Sequence, residues 1–156
     1  MKLSPAESRV VERMASGVLC RDGFLAGDPR PLPEILDTDA SEVARLNLSH
    51  EQLAERLAKL LDVAMEGMGA TVEVGGGLRV RYAESMGRIP CPWGGCGVFA
   101  KGEVEVIGPD GTVRGRFTPL SVHLIGRHGF YQGRGSRYRM EPASLAGLIG
   151  LEAAGQ

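Results

Sequence analysis

Apolar residues recur at helical spacing through the first part of the chain and alternate with polar residues over short stretches of the second part. Ser4 followed by Glu7 forms a capping-box pattern, and the apolar stripe behind it predicts a helix that stops near Gly23. A second capping-box pattern begins at Ser49 and predicts the strongest helix of the chain, which ends at residues 67–69.

The segment between these two helices contains several prolines. Residues 26–33 include three prolines, which predicts a stiff, extended connector in place of a helix. Residues 34–36 start a short helix, and residues 39–46 look like a separate capped turn. The first part of the chain is therefore predicted to be a small helical layer.

Alternation of apolar and polar residues predicts strands in the second part. Residues 70–74 and 78–82 flank three consecutive glycines and are expected to form a β-hairpin. Residues 98–107 form another strand candidate, and residues 113–117 return beside it after a Pro-Asp-Gly turn.

Helix signals return after these strands. Thr118 and Pro119 predict the cap and first residue of a helix that Gly129 closes. Residues 130–140 are expected to be irregular, and a last short helix is predicted from Pro142 through Leu151.

These elements predict an α+β fold, with an N-terminal helical layer followed by a small antiparallel β region and a helix. The expected division is 1–68 for the helical segment and 69–156 for the β-rich segment, in one compact domain overall. Hydrophobic residues make up 43% of the chain and charged residues 24%, as in ordinary globular proteins. With 5% aromatic residues and 23 glycines, burial per residue is weak, so a bound metal would add stability.

Two cysteines and two histidines have the spacing of metal ligands. Four residues lie between Cys91 and Cys96, four lie between His123 and His128, and 26 residues (97–122) separate the pairs. Two glycines between the cysteines allow a sharp turn that directs both thiolates to one ion. The pattern predicts a tetrahedral site for one structural zinc ion per chain. The small antiparallel β region is thus expected to carry a zinc knuckle beside its helix, which makes 69–156 the zinc-binding segment.

The segment 91–128 resembles the C2H2-type and treble-clef-like zinc-binding modules in ligand order, knuckle composition and hairpin-then-helix arrangement. The resemblance implies a structural zinc held by Cys91, Cys96, His123 and His128. The gap between the pairs is longer than the roughly 12 residues of the DNA-reading finger, which favours a structural role over DNA reading. Five residues on a helix correspond to a rotation of about 140°, so the last turn is expected to loosen for both imidazoles to converge.

Other interpretations of these four residues remain open. The cysteines are alternatively small buried apolar residues or a redox disulfide. His123 is alternatively a core histidine with a satisfied hydrogen bond, and His128 a residue stabilised by the helix dipole. A catalytic zinc would keep three protein ligands and an open position, but the H-E-x-x-H and deaminase patterns are not in the sequence. Glu103 and Glu105, among the nearest acids, are expected to face solvent.

Positive charge is concentrated in the second part of the chain. Residues 1–66 carry 12 acids and 8 bases, whereas residues 67–156 carry 7 acids and 10 bases. Arginine interleaved with tyrosine is typical of binding to phosphates and bases. The alternatives are a loop whose arginines pair with the acidic N-terminal helices, and a site for a small anionic ligand. The candidate polyanion-binding residues are Arg114, Arg116, Arg127, Arg134, Arg137, Arg139, Tyr131 and Tyr138.

Three further residues carry weaker expectations. Cys20 is assigned to the core, His50 to the solvent-facing side of its helix, and Trp93 to a position packed over the metal site. An odd number of cysteines and an N-terminus without an apolar run predict a cytoplasmic protein.

Three functional hypotheses follow from these patterns. The first is a non-enzymatic zinc-binding protein that binds a protein or nucleic-acid partner. The second is a small zinc-dependent hydrolase, and the third is a metal-free structural or assembly subunit.

Overall fold

The computed structural model describes residues 2–148 and residue 150, and within them it confirms the predicted α+β fold. The helices are α1 (Pro5–Met14), α2 (Leu32–Arg45), α3 (His50–Glu66), α4 (Pro119–His128) and α5 (Pro142–Leu148). The strands are β1 (Val72–Gly75), β2 (Leu78–Ala83), β3 (Arg88–Pro90), β4 (Val98–Ala100), β5 (Glu103–Ile107) and β6 (Val113–Phe117). The predicted end of the last helix at Leu151 falls outside the described residues. No helix in the described part is long and apolar enough to cross a membrane.

The main sheet is antiparallel, with its strands in the order β1-β2-β5-β6. The predicted hairpin is therefore confirmed as β1 and β2, and the predicted returning strand is confirmed as β6. In the centre of the sheet Val80 lies opposite Val106, and Tyr82 lies opposite Val104. All four side chains are buried, so one face of the sheet contributes to the hydrophobic core.

Helix α3 covers that face and has the predicted boundaries. Its capping box is present, with Ser49 accepting a hydrogen bond from the backbone of Gln52 and the Gln52 side chain accepting one from the backbone of Ser49. Leu53, Leu57 and Leu60 are buried in the same cluster as the valines of the sheet. Each such side chain stabilises the fold by about 1.5–3 kcal/mol relative to an exposed one.

Helix α1 has the predicted capping box but is shorter than expected. It ends at Met14, whereas the apolar stripe predicted an end near Gly23. The chain folds back after Met14, and the backbone N–H of Phe24 donates to the Met14 carbonyl at 2.9 Å. Gly23 has a φ of 68°, and a Cβ there would lie 2.6 Å from that carbonyl oxygen. This tight return ends the helix, and it leaves Val18 exposed.

Helix α2 is one continuous element, so the prediction of a short helix and a separate capped turn is wrong. Pro31 lies at the N-cap and Pro33 lies in the first turn, where backbone N–H groups have no partner within a helix. The prolines therefore start the helix instead of preventing it. Ile35, Asp39 and Val43 lie on its buried side at spacings of four residues.

The predicted strand over residues 98–107 is divided between two sheets. Its first part is β4, which pairs with β3 in a separate two-stranded sheet, and its second part is β5. Gly102 lies between them, and a Cβ there would overlap the Tyr82 hydroxyl at 2.0 Å. The sequence did not predict β3, which is three residues long and has no clear alternation.

A second hydrophobic cluster lies between helices α1, α2 and α4 and the small sheet. Met14, Ile35, Leu124 and Phe130 are buried in it, and Cys91 belongs to the same cluster. This cluster places the cysteine segment against helix α4, which carries both candidate histidines.

A buried ion pair fixes the irregular segment 130–140 to helix α2. Arg139 donates to both carboxylate oxygens of Asp39, and the two side chains are 5% and 2% exposed. Arg139 also donates to the Gln132 carbonyl at 3.0 Å and to Glu141 at 2.8 Å. The guanidinium group is thus bound both by helix α2, through Asp39, and by nearby residues of its own segment, Gln132 and Glu141.

Replacement of Asp39 by Ala leaves Arg139 buried with an incomplete set of partners. We expect the free energy of unfolding to fall by about 3–5 kcal/mol, because the desolvated guanidinium loses its main counter-charge. Urea unfolding followed by circular dichroism measures this change.

Glu42→Ala is the matched control on the same helix. Glu42 pairs with Arg45 at the surface, where such a pair contributes less than about 1 kcal/mol. Equal losses in the two variants would contradict the assignment of Asp39 and Arg139 as a buried pair.

Candidate metal centre

The fold brings the four predicted ligands together. One ligand atom from each of Cys91, Cys96, His123 and His128 lies within 4.8 Å of all the others. The cysteines come from the segment between β3 and β4, and the histidines come from α4. Cys91 is buried and the other three are half-buried. The geometry is that of a possible Cys2His2 metal site.

The cysteine segment, residues 91–96, makes a sharp turn, as predicted from the two glycines between the cysteines. Gly94 and Gly95 have φ values of 82° and 69°, a region that side chains other than glycine rarely adopt. The backbone N–H of Gly94 donates to the Cys91 carbonyl at 2.9 Å. This turn reverses the chain between the cysteines and brings Cys96 to the same side as Cys91.

Helix α4 begins and ends at the predicted residues. Thr118 and Ser121 form a capping box, and Gly129 closes the helix with a φ of 62°. The expected loosening of the last turn is wrong, because Gly129 still donates to the Ile125 carbonyl at 3.0 Å. The imidazole centroids are nevertheless 5.2 Å apart, so the two rings meet although both residues belong to the helix.

The distances between ligand atoms fit a tetrahedral ion. The Nε2 atom of His128 lies 3.4 Å from Cys91 Sγ and 3.7 Å from Cys96 Sγ. Zinc bonds of about 2.3 Å to sulfur and about 2.0 Å to nitrogen at a tetrahedral angle place such atoms about 3.5 Å apart. These two sulfur–nitrogen distances therefore match those around a tetrahedral zinc ion.

The Nε2 atom of His123 is buried and has no hydrogen-bond partner within residues 2–148 and 150. A buried polar atom without a partner destabilises a fold by about 1–3 kcal/mol. This observation argues against His123 as a core histidine with a satisfied hydrogen bond. A metal ion among the four side chains would supply the partner that Nε2 lacks.

Burial determines the protonation of the site. Burial, with smaller contributions from His123 and Arg127, lowers the pKa of His128 to about 4. Burial and Arg127 also lower the pKa of His123. Both imidazoles are thus neutral near pH 7, with nitrogen lone pairs available for a metal. Burial, together with Cys96 nearby, raises the pKa of Cys91 to about 11, so a metal must displace the thiol proton when it binds.

Aromatic side chains surround the histidines. Trp93 stacks on His128 with ring centroids 4.2 Å apart and planes within 6° of parallel, which confirms the predicted packing over the site. Phe99 contacts His123 at a centroid distance of 4.8 Å. Arg13 of helix α1 donates to the carbonyls of Pro92 and Trp93. Neither Arg13 nor Phe99 was predicted from the sequence to support the site.

Most arginines of the predicted polyanion surface have carboxylate partners. Arg114 pairs with Asp110, Arg137 donates to Glu103, and Arg139 is the buried partner of Asp39. The alternative of pairing with the acidic N-terminal helices is thus observed for Arg139. Arg127 and Arg134 are exposed and form no ion pair among the described residues.

The two tyrosines of that surface are held by hydrogen bonds. Tyr131 is buried, and its hydroxyl lies 2.9 Å from Nδ1 of His50. His50 is therefore half-buried, and its predicted solvent-facing position is wrong. Tyr138 donates to Glu103 at 2.9 Å. Binding of a polyanion by this surface stays a prediction.

Glu103 and Glu105 share one face of β5, as expected from their spacing, but they are not directed freely into solvent. Arg81 pairs with Glu105, and Arg116 lies within 3.6 Å of both carboxylates. Cys20, which was assigned to the core, is half-buried and packs against the second cluster.

Comparisons with known proteins identify no family for this chain. No protein-family model, no curated protein sequence and no solved structure matches the chain. The functional argument therefore depends on the geometry of the site.

Proposed function

We propose that the protein binds one zinc ion through Cys91, Cys96, His123 and His128, that the zinc is structural, and that the folded protein acts by binding a partner. The convergence of four ligand atoms within 4.8 Å of one another carries this proposal. The unpartnered Nε2 of His123 supports it independently.

The donor set favours zinc over other metals. It combines two thiols with two imidazoles, and no carboxylate belongs to the cluster found in the described residues. Thiolate ligands disfavour magnesium and calcium, and a mixed sulfur and nitrogen set in tetrahedral arrangement is typical of zinc.

The number of ligands favours a structural role. Four protein ligands occupy all the coordination positions of a tetrahedral zinc ion, which leaves no position for a catalytic water. The ion would also link the cysteine segment to helix α4, two parts of the chain that meet at the second hydrophobic cluster. A cross-link at this place stabilises the packing of α4 against the small sheet.

Elemental analysis of the purified, untagged protein tests the site directly. We expect about one zinc per chain in the wild type and none in Cys91→Ala or His123→Ala. These variants should also lose several kcal/mol of unfolding free energy, because zinc binding and folding are coupled.

Cys20→Ala is the matched control, because Cys20 is the remaining cysteine of the chain and lies outside the cluster. It should retain its zinc and nearly all of its stability. Wild-type protein prepared without chelator and free of metal would refute the proposed site, as would full zinc content in Cys91→Ala.

Cobalt substitution distinguishes a structural site from a hydrolytic one. With four protein ligands, we expect the strong visible absorption of tetrahedral cobalt and a thiolate charge-transfer band. Added azide should leave both unchanged. A spectrum that shifts with azide would indicate an open coordination position and would favour the hydrolase hypothesis.

The proposed partner is a protein or a nucleic acid, and Arg127 and Arg134 are the residues best placed to contact it. Both are exposed and form no ion pair with a described residue. The extensive pairing of the other arginines reduces the charge available for phosphates, which favours a protein partner.

Fluorescence anisotropy with labelled single-stranded RNA and duplex DNA separates the two classes of partner. A nucleic-acid binder should show an affinity that falls steeply with salt and falls further in Arg127→Gln/Arg134→Gln. We expect weak, salt-sensitive binding without sequence preference. Tight binding that the double variant leaves unchanged would contradict the assignment of these two arginines.

A further inference from the structure

One cavity of the described structure lies outside the candidate metal centre. Its volume is about 790 Å³, within the range of pockets that bind small molecules. The loop after α1, the start of α4 and the irregular segment before α5 form its walls. None of the four candidate metal ligands lines it.

Positive charge predominates around this cavity. Arg21, Lys101, Arg116 and Arg137 line it, together with one carboxylate, Asp22. Behind the wall, Glu103 and Glu105 pair with Arg137, Arg116 and Arg81. Five cations against three carboxylates leave a formal charge of +2, which attracts an anion.

Arg116 has hydrogen-bonding capacity that the described protein does not use. Its Nε atom is buried without a hydrogen bond, and the closest carboxylate oxygens, of Glu103 and Glu105, lie 3.5 and 3.6 Å away. The side chain is 32% exposed, and Arg116 is one of the residues that line the cavity. Among the described residues, the other buried side-chain atom in this condition is Nε2 of His123, at the metal centre.

Arg137 and Lys101 add donors at the same cavity. Arg137 uses Nε and Nη2 on Glu103, at 3.2 and 2.9 Å, and its side chain is 54% exposed. Lys101 is exposed and forms no ion pair with a described residue. Glu103 occupies this edge of the guanidinium group, so the remaining Arg137 donors and the Lys101 ammonium are the groups that could bind a phosphate or carboxylate.

The cavity also has apolar lining. Phe24, Ile89 and Leu120 are buried side chains that line it, and Tyr138 lines it as well. The hydrogen bond from Tyr138 to Glu103 fixes the tyrosine ring. A cavity with both cationic and apolar lining fits a ligand that has both an anionic group and an apolar part.

Backbone strain is also concentrated here. Four non-glycine residues in the described part of the chain have a positive φ, and two of them, Ala26 and Gln132, line the cavity with φ values of 50° and 72°. Gln132 is buried, and its Oε1 accepts a hydrogen bond from Ser136 at 2.6 Å. Strain of this kind is often found where a chain is shaped to bind a ligand.

We propose that this cavity binds a small organic anion. Arg116 and Arg137 bind its phosphate or carboxylate group, Lys101 adds a charge at the entrance, and Phe24 and Leu120 pack against its apolar part. This site goes beyond the proposed zinc-dependent function and does not depend on it, because the two sites share no side chain.

An NMR titration of the full-length protein with phenyl phosphate tests the proposal. Phenyl phosphate combines the anionic and apolar groups, whereas inorganic phosphate and phenol each supply one of them. We expect phenyl phosphate to bind at least about tenfold more tightly than either, and to shift the amide signals of Gly23, Leu120 and Ser136. Benzoate in a parallel titration distinguishes a carboxylate site from a phosphate site.

Substitutions of single residues test which side chains bind the anionic probe. Arg116→Gln and Lys101→Gln should each weaken binding of the tighter probe, Arg116→Gln by about tenfold to 100-fold. Arg114→Gln, on the same strand as Arg116 and outside the cavity, should bind as the wild type does. Zinc content measured on every variant shows whether the metal centre is intact, so a loss of ligand binding is separated from a loss of metal.

The proposal is overturned if neither phenyl phosphate nor benzoate binds more tightly than inorganic phosphate. It is equally overturned if the shifted signals lie outside the cavity, or if Arg116→Gln and Lys101→Gln both bind with wild-type affinity.

Discussion

Burial of helix α4 between two hydrophobic clusters is the constraint on which the rest of the structure depends. Ile125 packs into the cluster with helix α3 and the main sheet, whereas Leu120 and Leu124 pack into the cluster with helices α1 and α2. A helix held on both sides cannot rotate without exposing apolar surface to water. His123 and His128 are therefore fixed in direction before any metal binds.

The cysteine segment depends on the same packing. Cys91 is buried in the second cluster, and Arg13 binds the carbonyls of Pro92 and Trp93 from helix α1. Trp93 in turn stacks on His128. The thiols and imidazoles thus meet because two parts of the chain are packed against a common core, and the metal would strengthen a contact that already exists.

Unused hydrogen-bonding capacity marks the two places where a ligand is proposed. The described residues satisfy nearly all their buried side-chain polar atoms, and the exceptions are Nε2 of His123 and Nε of Arg116. His123 belongs to a cluster of soft metal ligands, so a metal cation is the partner proposed there. Nε of Arg116 lies 3.5 and 3.6 Å from two carboxylate oxygens, and the organic anion is proposed for the cavity that Arg116 lines.

The sequence by itself determined the features that depend on neighbouring residues. Capping boxes at Ser4 and Ser49, the glycine after α4 and the alternation in β1 and β2 all depend on interactions over a few positions. The spacing of the cysteines and histidines likewise allowed their convergence to be predicted.

Only the tertiary structure decided the rest, because the partners lie far apart in the chain. The predicted long strand is divided at Gly102 between two sheets, and a side chain at this position would overlap Tyr82. Arg139 was predicted to belong to an exposed polyanion surface, but its side chain is buried in an ion pair with Asp39, 100 residues earlier. Packing and charge compensation act between residues that are close in space. A local pattern therefore identifies which residues can bind a metal or an anion, and the tertiary contacts decide which of them already have partners.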